Sequence, residues 1–141
     1  MESREFKPFG SVSALTLGGG GIGNVWGETS KEESIASVHL ALESGIDHLD
    51  VAPMYGKGEA ERVVGEAIKE RSRDSFRLTT KCALGSMPDE EVYDRFNTSL
   101  IRSLDTMGTD YVDLFLLHSQ LIENDHESVS YTHLTLPTIF A

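Results

Sequence analysis

Four residues of types that can transfer or orient a proton follow predicted strands of this sequence. Asp50, Lys81 and His118 each lie at the end of a predicted strand, and Tyr55 lies on the turn just after the first of these strands. In parallel α/β proteins the carboxyl ends of the strands share one edge of the sheet, where loops converge. We therefore expect these four side chains to lie within a few ångströms of one another.

Each of these residues also has an ordinary structural interpretation. Lys81 could be a solvated strand end, Asp50 a turn or helix cap, and Tyr55 a packed amphipathic side chain. His118 considered alone is more typical of a core histidine whose hydrogen bonds are satisfied. A buried Asp–Lys pair, however, contributes little to stability, so a purely structural role for such a pair is disfavoured. The joint pattern therefore favours a site.

The residue types indicate what this site could do. An ordinary phenol is a poor acid near neutral pH, but an adjacent ammonium favours the phenolate and so eases release of the proton. A carboxylate on the other side of the lysine would keep the ammonium in place and charged. The histidine could donate a hydrogen bond that orients a carbonyl oxygen. Such a set can protonate a carbonyl but lacks a hydride, which a nicotinamide cofactor would supply.

Predicted strands and helices alternate along the chain. A hairpin around Gly10-Ser11 is followed by parallel strands, so that the strands are predicted over residues 4–9, 12–17, 46–51, 76–81 and 111–118. The helices are predicted from the capping box of Ser30 and Glu33 to Gly45, over 59–70, and from 86–88 to Gly108. This alternation predicts a parallel sheet with right-handed crossovers. An open doubly wound sheet and part of a (β/α)8 barrel both satisfy it.

The glycine-rich stretch over residues 18–23 is predicted to interrupt regular structure. Gly18, Gly20 and Gly23 match the spacing G-x-G-x-x-G after a strand, which is typical of dinucleotide-binding Rossmann folds. The third glycine should lie in the first turn of the following helix. Here residues 24–29 separate Gly23 from Ser30, and Asp50 lies further along than a ribose-binding acid should. The Rossmann interpretation is therefore disfavoured.

The chain resembles the aldo-keto reductase family over residues 4–120. The resemblance is carried by the glycine-rich turn, by IDHLDVAPMYG followed by GEAERVVGEAI, and by LTTK and DLFLLH. It implies an N-terminal half of a (β/α)8 TIM barrel with an N-terminal β-hairpin, truncated after the fourth barrel strand. It also implies that NADPH, with NADH as the alternative, is bound without a Rossmann domain, with Gly20, Gly21 and Asp50 at the cofactor.

The same resemblance assigns catalytic roles. Tyr55 would be the general acid, Lys81 would tune it, Asp50 would anchor Lys81, and His118 would orient the substrate carbonyl. The parent would transfer a hydride between nicotinamide and an aldehyde, ketone or sugar, or the corresponding alcohol. The half-barrel itself is expected to be inactive and poorly stable. A regulatory or cofactor-sensing subunit on the same fold is the alternative, and a Schiff-base enzyme acting through Lys81 is a third.

Composition restricts the class of protein further. The chain has 141 residues, 39% of them hydrophobic, and a formal net charge of −11, which gives nucleic-acid phosphates nothing to bind. It has one cysteine, Cys82, and therefore neither an internal disulfide framework nor a cysteine-based metal site. No apolar run is long enough to span a membrane. These features predict a soluble, cytoplasmic protein and leave its oligomeric state open, whereas a small-molecule carbonyl or alcohol substrate is what the family resemblance implies.

The last residues differ in character from the rest. The segment VSYTHLTLPT, residues 129–138, resembles one reading frame of a transposon adapter used in DNA sequencing. We therefore predict a partial reductase domain over residues 1–128 and a non-native tail over residues 129–141, and give Tyr131 and His133 no catalytic role.

Overall fold

The computed structural model describes residues 1–7, 9–85 and 88–118. Its strands are β1 (Ser3–Phe6), β2 (Gly10–Ser13), β3 (Leu17–Gly18), β4 (His48–Asp50), β5 (Arg77–Cys82) and β6 (Leu114–Leu117). Its helices are α1 (Gly19–Ile22), α2 (Lys31–Glu43), α3 (Glu59–Ile68) and α4 (Asp89–Met107), with a 3-10 turn at Arg73–Ser75. None of these helices is both long and apolar enough to cross a membrane.

Two sheets are formed by the described strands. β1 and β2 pair antiparallel, whereas β3, β4, β5 and β6 form a parallel sheet in that order. Each parallel strand thus pairs with the next one along the chain. A doubly wound sheet reverses its strand order at a switch point, whereas a barrel does not. The order within the described sheet is therefore that of a barrel segment.

The helices follow from local signals. The predicted capping box opens α2: the Glu33 amide donates to Ser30 Oγ at 3.2 Å, and the Ser30 amide donates to a Glu33 carboxylate oxygen at 3.0 Å. Gly45, with φ of +84°, follows the end of this helix. At the far end of the fold, α4 ends at Gly108, which adopts φ of +64°. Both predicted helix stops are confirmed.

The core lies between the outer face of the parallel sheet and the helices. Leu49 and Leu78 on the strands are fully buried there, together with Val63 and Val64 of α3. α3 also crosses α4 closely, because Gly65 has no side chain: a Cβ there would lie 2.8 Å from the Cα of Met107. Alternate strand residues point to the opposite, inner face, which in β4 and β5 is polar.

A largely buried ion pair joins the 3-10 turn before β5 to the residue before β6. Arg73 Nη2 lies 2.5 Å from Asp113 Oδ2, and Arg73 Nη1 donates to the Phe76 carbonyl at 3.0 Å. Asp113 also accepts a hydrogen bond from the Leu78 amide at 2.8 Å. The guanidinium carbon lies 3.9 Å from the centre of the Tyr111 ring. These contacts fix the two strands that lead to Lys81 and His118.

The predicted hairpin turn at Gly10-Ser11 is wrong. Phe6 pairs with Gly10, so the turn lies between them and is closed by a hydrogen bond from the Phe9 amide to the Phe6 carbonyl at 2.7 Å. The Phe6 and Phe9 rings stack with centroids 5.6 Å apart, which favours this three-residue loop over the predicted two-residue turn. Gly10 becomes the first residue of β2.

The strand predicted over residues 12–17 is interrupted. β2 ends at Ser13, whose amide donates to Asp47 Oδ1 at 2.8 Å and whose hydroxyl donates to the Leu15 carbonyl at 2.6 Å. These side-chain hydrogen bonds compete with a continuing ladder. The parallel sheet therefore begins with a separate strand, β3, at Leu17.

The glycine-rich stretch also differs from expectation, since Gly19–Ile22 forms a single helical turn. Close packing explains it: a Cβ on Gly19 would lie 2.9 Å from Val51 Cγ1 and 3.2 Å from Tyr55 Cδ2.

The other predicted strands are present but are shorter or shifted along the chain. Leu116 and Leu117 are only half-buried, unlike the fully buried strand predicted over 111–118. The predicted tail over 129–141 lies outside the described residues and stays a prediction.

Candidate active site

The Lys81 ammonium is the centre of the candidate site. β4 and β5 are parallel neighbours in which Asp50 pairs with Thr79, so Lys81 lies two residues beyond, at the carboxyl edge. Its Nζ donates hydrogen bonds to Asp50 Oδ1 and, at 2.9 Å, to the Val51 carbonyl. The Lys81 side chain is 10% exposed and that of Asp50 35%. The ammonium is thus largely buried, whereas the carboxylate that it contacts is still partly exposed to solvent.

Tyr55 is held beside this ammonium by a tight turn. Lys81 Nζ donates to the Tyr55 hydroxyl oxygen at 3.4 Å and lies 4.9 Å from the centre of its ring. Gly56, Lys57 and Gly58 follow with φ of +63°, +55° and +88°. A Cβ on Gly56 would lie 1.9 Å from the Gly23 carbonyl oxygen, so the turn packs directly on the glycine-rich stretch. Only glycine satisfies both the left-handed backbone and this close approach.

His118 completes the cluster. It follows β6, and its amide donates to the Cys82 carbonyl at 2.7 Å. Its ring meets that of Tyr55 edge to face, with centroids 5.7 Å apart and an interplanar angle of 88°. Burial, and after it the Lys81 ammonium, hold the pKa of His118 below its ordinary value, while Asp50 opposes the shift. The imidazole is therefore neutral near pH 7, and its buried Nδ1 has no partner among the described residues.

The structure thus brings together the four residues that the sequence singled out. Gly20 and Gly21 directly follow Gly19, which packs on Tyr55. A Cβ on Gly20 would lie 2.8 Å from the Trp26 ring, whereas one on Gly21 would meet nothing within 4 Å. The space on the side-chain face of Gly21 is therefore open, while that of Gly20 is covered by the indole.

Three features of the site were missed by sequence reasoning. The Val51 carbonyl could not be foreseen, since every residue has one. Trp26, 81% exposed, is the single tryptophan of the chain and follows the glycine-rich stretch, which could have drawn attention to it. His48 lies two residues before Asp50 and so on the same face of β4, a position that the period of a strand gives directly.

The cluster can protonate and orient a polarised oxygen. A buried ammonium contacts both a carboxylate and a phenol, and a neutral imidazole lies against the phenol ring. Within the described ranges, no group of three or more His, Cys, Asp or Glu side chains is placed to bind a metal ion. The described donors and acceptors therefore favour acid chemistry at the Tyr55 hydroxyl.

Known proteins are similar to this chain in sequence and in fold. A sequence model of the aldo/keto reductase family matches residues 14–132. Aldo-keto reductase YhdN of Bacillus subtilis is 39% identical over 114 residues, which cover 76% of this chain and 34% of that protein. The NADH-specific methylglyoxal reductase of Escherichia coli is 31% identical over 125 residues, covering 79% of this chain and 38% of that protein.

A solved structure agrees with the sequence matches. The aldo-keto reductase of Klebsiella pneumoniae in complex with NADPH superposes with a TM-score of 0.70 at 28% identity, covering 83% of this chain and 39% of that one. This likeness confirms the expected fold class, part of a (β/α)8 barrel. The chain spans between 34% and 38% of the length of the two curated relatives. By sequence and by fold, it belongs to the aldo/keto reductase family.

Proposed function

We propose that the protein containing this sequence is an NAD(P)(H)-dependent oxidoreductase that reduces an aldehyde, ketone or sugar carbonyl, or oxidises the corresponding alcohol. The observation that carries the proposal is the position of the Lys81 ammonium, which contacts the Asp50 carboxylate and the Tyr55 hydroxyl together. Membership of the reductase family supports the same reaction class.

The proposed roles follow from these contacts. The Tyr55 hydroxyl donates its proton to the substrate carbonyl oxygen, and the adjacent Lys81 ammonium stabilises the phenolate that remains. Asp50 and the Val51 carbonyl hold Lys81 in place, because both accept hydrogen bonds from its Nζ. His118 is neutral and so offers a single N–H with which to orient the carbonyl oxygen. In the oxidative direction the Tyr55 oxygen accepts the proton of the alcohol.

The residues present fit the reacting end of a nicotinamide cofactor. Gly20 and Gly21 are proposed contacts, since the side-chain face of Gly21 is open, and the partly exposed Asp50 carboxylate is the third proposed contact. A nicotinamide bound there would supply the hydride that these side chains cannot. The Klebsiella structure contains NADPH, and the Escherichia coli relative is described as NADH-specific. We propose NADPH, with NADH as the alternative.

The 141-residue chain alone is proposed to be inactive and poorly stable. It spans about a third of each curated relative, 34% and 38%. β6 forms an edge of the described sheet, and its Leu116 and Leu117 are only half-buried. An exposed apolar edge strand favours aggregation. Turnover of NADPH by the 141-residue chain would contradict this part of the proposal.

The test is an NADPH oxidation assay on the full-length protein with a panel of aldehydes, ketones and sugars. Tyr55→Phe removes the proposed acid and should lower kcat by roughly 10²- to 10⁴-fold. Tyr93→Phe is the matched control, because Tyr93 is exposed on α4 and should leave kcat unchanged. Equal activity of both variants would refute the role of Tyr55. Cofactor binding without turnover would indicate a regulatory subunit, and borohydride trapping of substrate on Lys81 a Schiff-base enzyme.

A further inference from the structure

A second polar contact lies one layer below the Asp50–Lys81 pair on the inner face of the sheet. His48 Nε2 lies 2.7 Å from the Thr79 hydroxyl, and His48 Nδ1 lies 3.2 Å from the Thr16 hydroxyl. Thr79 is almost fully buried. The imidazole thus connects three neighbouring segments of the chain, just before β3, on β4 and on β5, directly beneath the candidate site.

The two contacts have the same geometry. In the ladder between β4 and β5, His48 pairs with Arg77 and Asp50 pairs with Thr79. His48 contacts Thr79 and Asp50 contacts Lys81, so each of these two residues of β4 contacts the residue of β5 two places beyond its ladder partner. The lower contact therefore repeats the upper one, and Thr79 lies beside Asp50 in the ladder.

Thr79 is the group that could disturb the site. A threonine hydroxyl has one hydrogen to donate, and a neighbouring carboxylate is a stronger acceptor than a neutral group. If the Thr79 hydroxyl donated to Asp50, it would compete with the Lys81 ammonium for that carboxylate. The nearby imidazole offers the hydroxyl a different acceptor, provided that Nε2 carries no proton.

The surroundings of His48 keep this acceptor available. Burial lowers the pKa of His48, and Arg77 lowers it further, whereas Asp50, Asp47 and Asp113 raise it. The lowering is the net direction, so the ring is neutral near pH 7 and one of its nitrogens accepts. With Thr16 and Thr79 on its two nitrogens, the ring can donate to one hydroxyl and accept from the other.

We propose that His48 is a positioning residue that donates from Nδ1 to Thr16 and accepts the Thr79 hydroxyl at Nε2, and so reserves the Asp50 carboxylate for Lys81. The inference rests on the proposed function in one respect: a fixed position of Lys81 matters for activity only if Lys81 acts on Tyr55 as proposed. Its direct consequences, a tautomer and the retention of the ammonium, can be measured without any turnover.

The first test uses the unaltered full-length protein. Nitrogen-15 NMR of labelled histidine reports which ring nitrogen of His48 is protonated. We expect the Nδ1–H tautomer at pH 7. An Nε2–H tautomer would overturn the proposal, because the ring would then donate to Thr79 and leave its hydroxyl hydrogen for Asp50. This result stands whether or not any variant folds.

The second test follows the exchange of the Lys81 ammonium protons with water, again by NMR. In His48→Phe the ring volume is kept and the acceptor is lost, so exchange should be faster by about 2- to 10-fold, the factor that one hydrogen bond of ordinary net strength provides. The double variant His48→Phe/Thr79→Val should restore slow exchange, because the competing hydroxyl is gone. A role confined to packing predicts no such rescue, and absence of rescue would refute the proposal.

The matched control is His39→Phe. His39 Nε2 lies 2.9 Å from the Ala67 carbonyl, so this change also removes a histidine hydrogen bond, but between α2 and α3. It should not alter exchange at Lys81. Thr79→Val alone should also leave it slow, and faster exchange there would count against the proposal. Failure of these tests bears on His48 alone, whereas failure of the Tyr55→Phe assay bears on the proposed function.

Discussion

Replacement of Arg73 by methionine should destabilise the fold far more than the same change two residues earlier. Methionine keeps most of the apolar stem but removes the guanidinium. Arg73 Nη2 lies 2.5 Å from Asp113 Oδ2, with the two side chains 18% and 14% exposed, and the guanidinium carbon lies 3.9 Å from the centre of the Tyr111 ring. The substitution therefore leaves a largely buried carboxylate without its cation.

The magnitude follows from what remains around Asp113. Removing one partner of a buried ion pair costs about 3 to 5 kcal/mol, mostly because the other charge is left uncompensated. Asp113 still accepts the Leu78 amide at 2.8 Å, and a little solvent reaches it. We therefore expect a loss at the lower end, about 3 kcal/mol.

The assay is urea unfolding followed by circular dichroism, with a stabilising osmolyte such as TMAO present so that the variants start folded. Arg71→Met is the control, because Arg71 lies 3.5 Å from the exposed Glu43 carboxylate and should lose less than about 1 kcal/mol. Equal losses in the two variants would show that Asp113 does not depend on its cation. The inference that the Arg73–Asp113 ion pair holds β5 and β6 together would then be wrong.

Two further predictions concern helix packing and pH. Gly65→Ala should lower the free energy of unfolding in urea by about 1 kcal/mol, because the gain in helix propensity is exceeded by overlap with the Met107 backbone. Gly18→Ala should not lower it, because a Cβ there would meet nothing within 4 Å. Burial lowers the pKa of both His48 and His118 in the folded chain, so the unfolded chain takes up protons on these residues more readily. The free energy of unfolding should therefore be highest above about pH 6.5 and should fall as the pH drops below it. The urea midpoint measured from pH 7.5 to 5.5 checks this, and a midpoint that rises on acidification would contradict it.

The parts of the fold that the sequence predicted depend on short-range signals. The capping box of Ser30 and Glu33 and the stop at Gly108 involve residues only a few positions apart, and both are present. The convergence of Asp50, Tyr55, Lys81 and His118 needed one further assumption, that the strands are parallel, because their carboxyl ends then share an edge. The positions of these residues follow; their catalytic roles remain a proposal.

The parts that the sequence did not predict depend on contacts between distant segments. The helical turn at Gly19 forms where Val51 and Tyr55 pack against it, more than 30 residues later along the chain. Strand β2 ends at Ser13 because Asp47 accepts its amide hydrogen. Neither partner is marked by any local pattern, so no reading of residues 10–23 alone could have given these boundaries.

The order of the strands has a consequence for synthesis on the ribosome. Each parallel strand joins the one made just before it, and Asp50, Tyr55 and Lys81 all belong to the single unit β4–α3–β5. At about 5 to 20 residues per second this unit emerges over a few seconds, whereas a helix forms in about a microsecond. The growing chain can therefore bring the carboxylate, the phenol and the ammonium together before His118 has emerged from the ribosome.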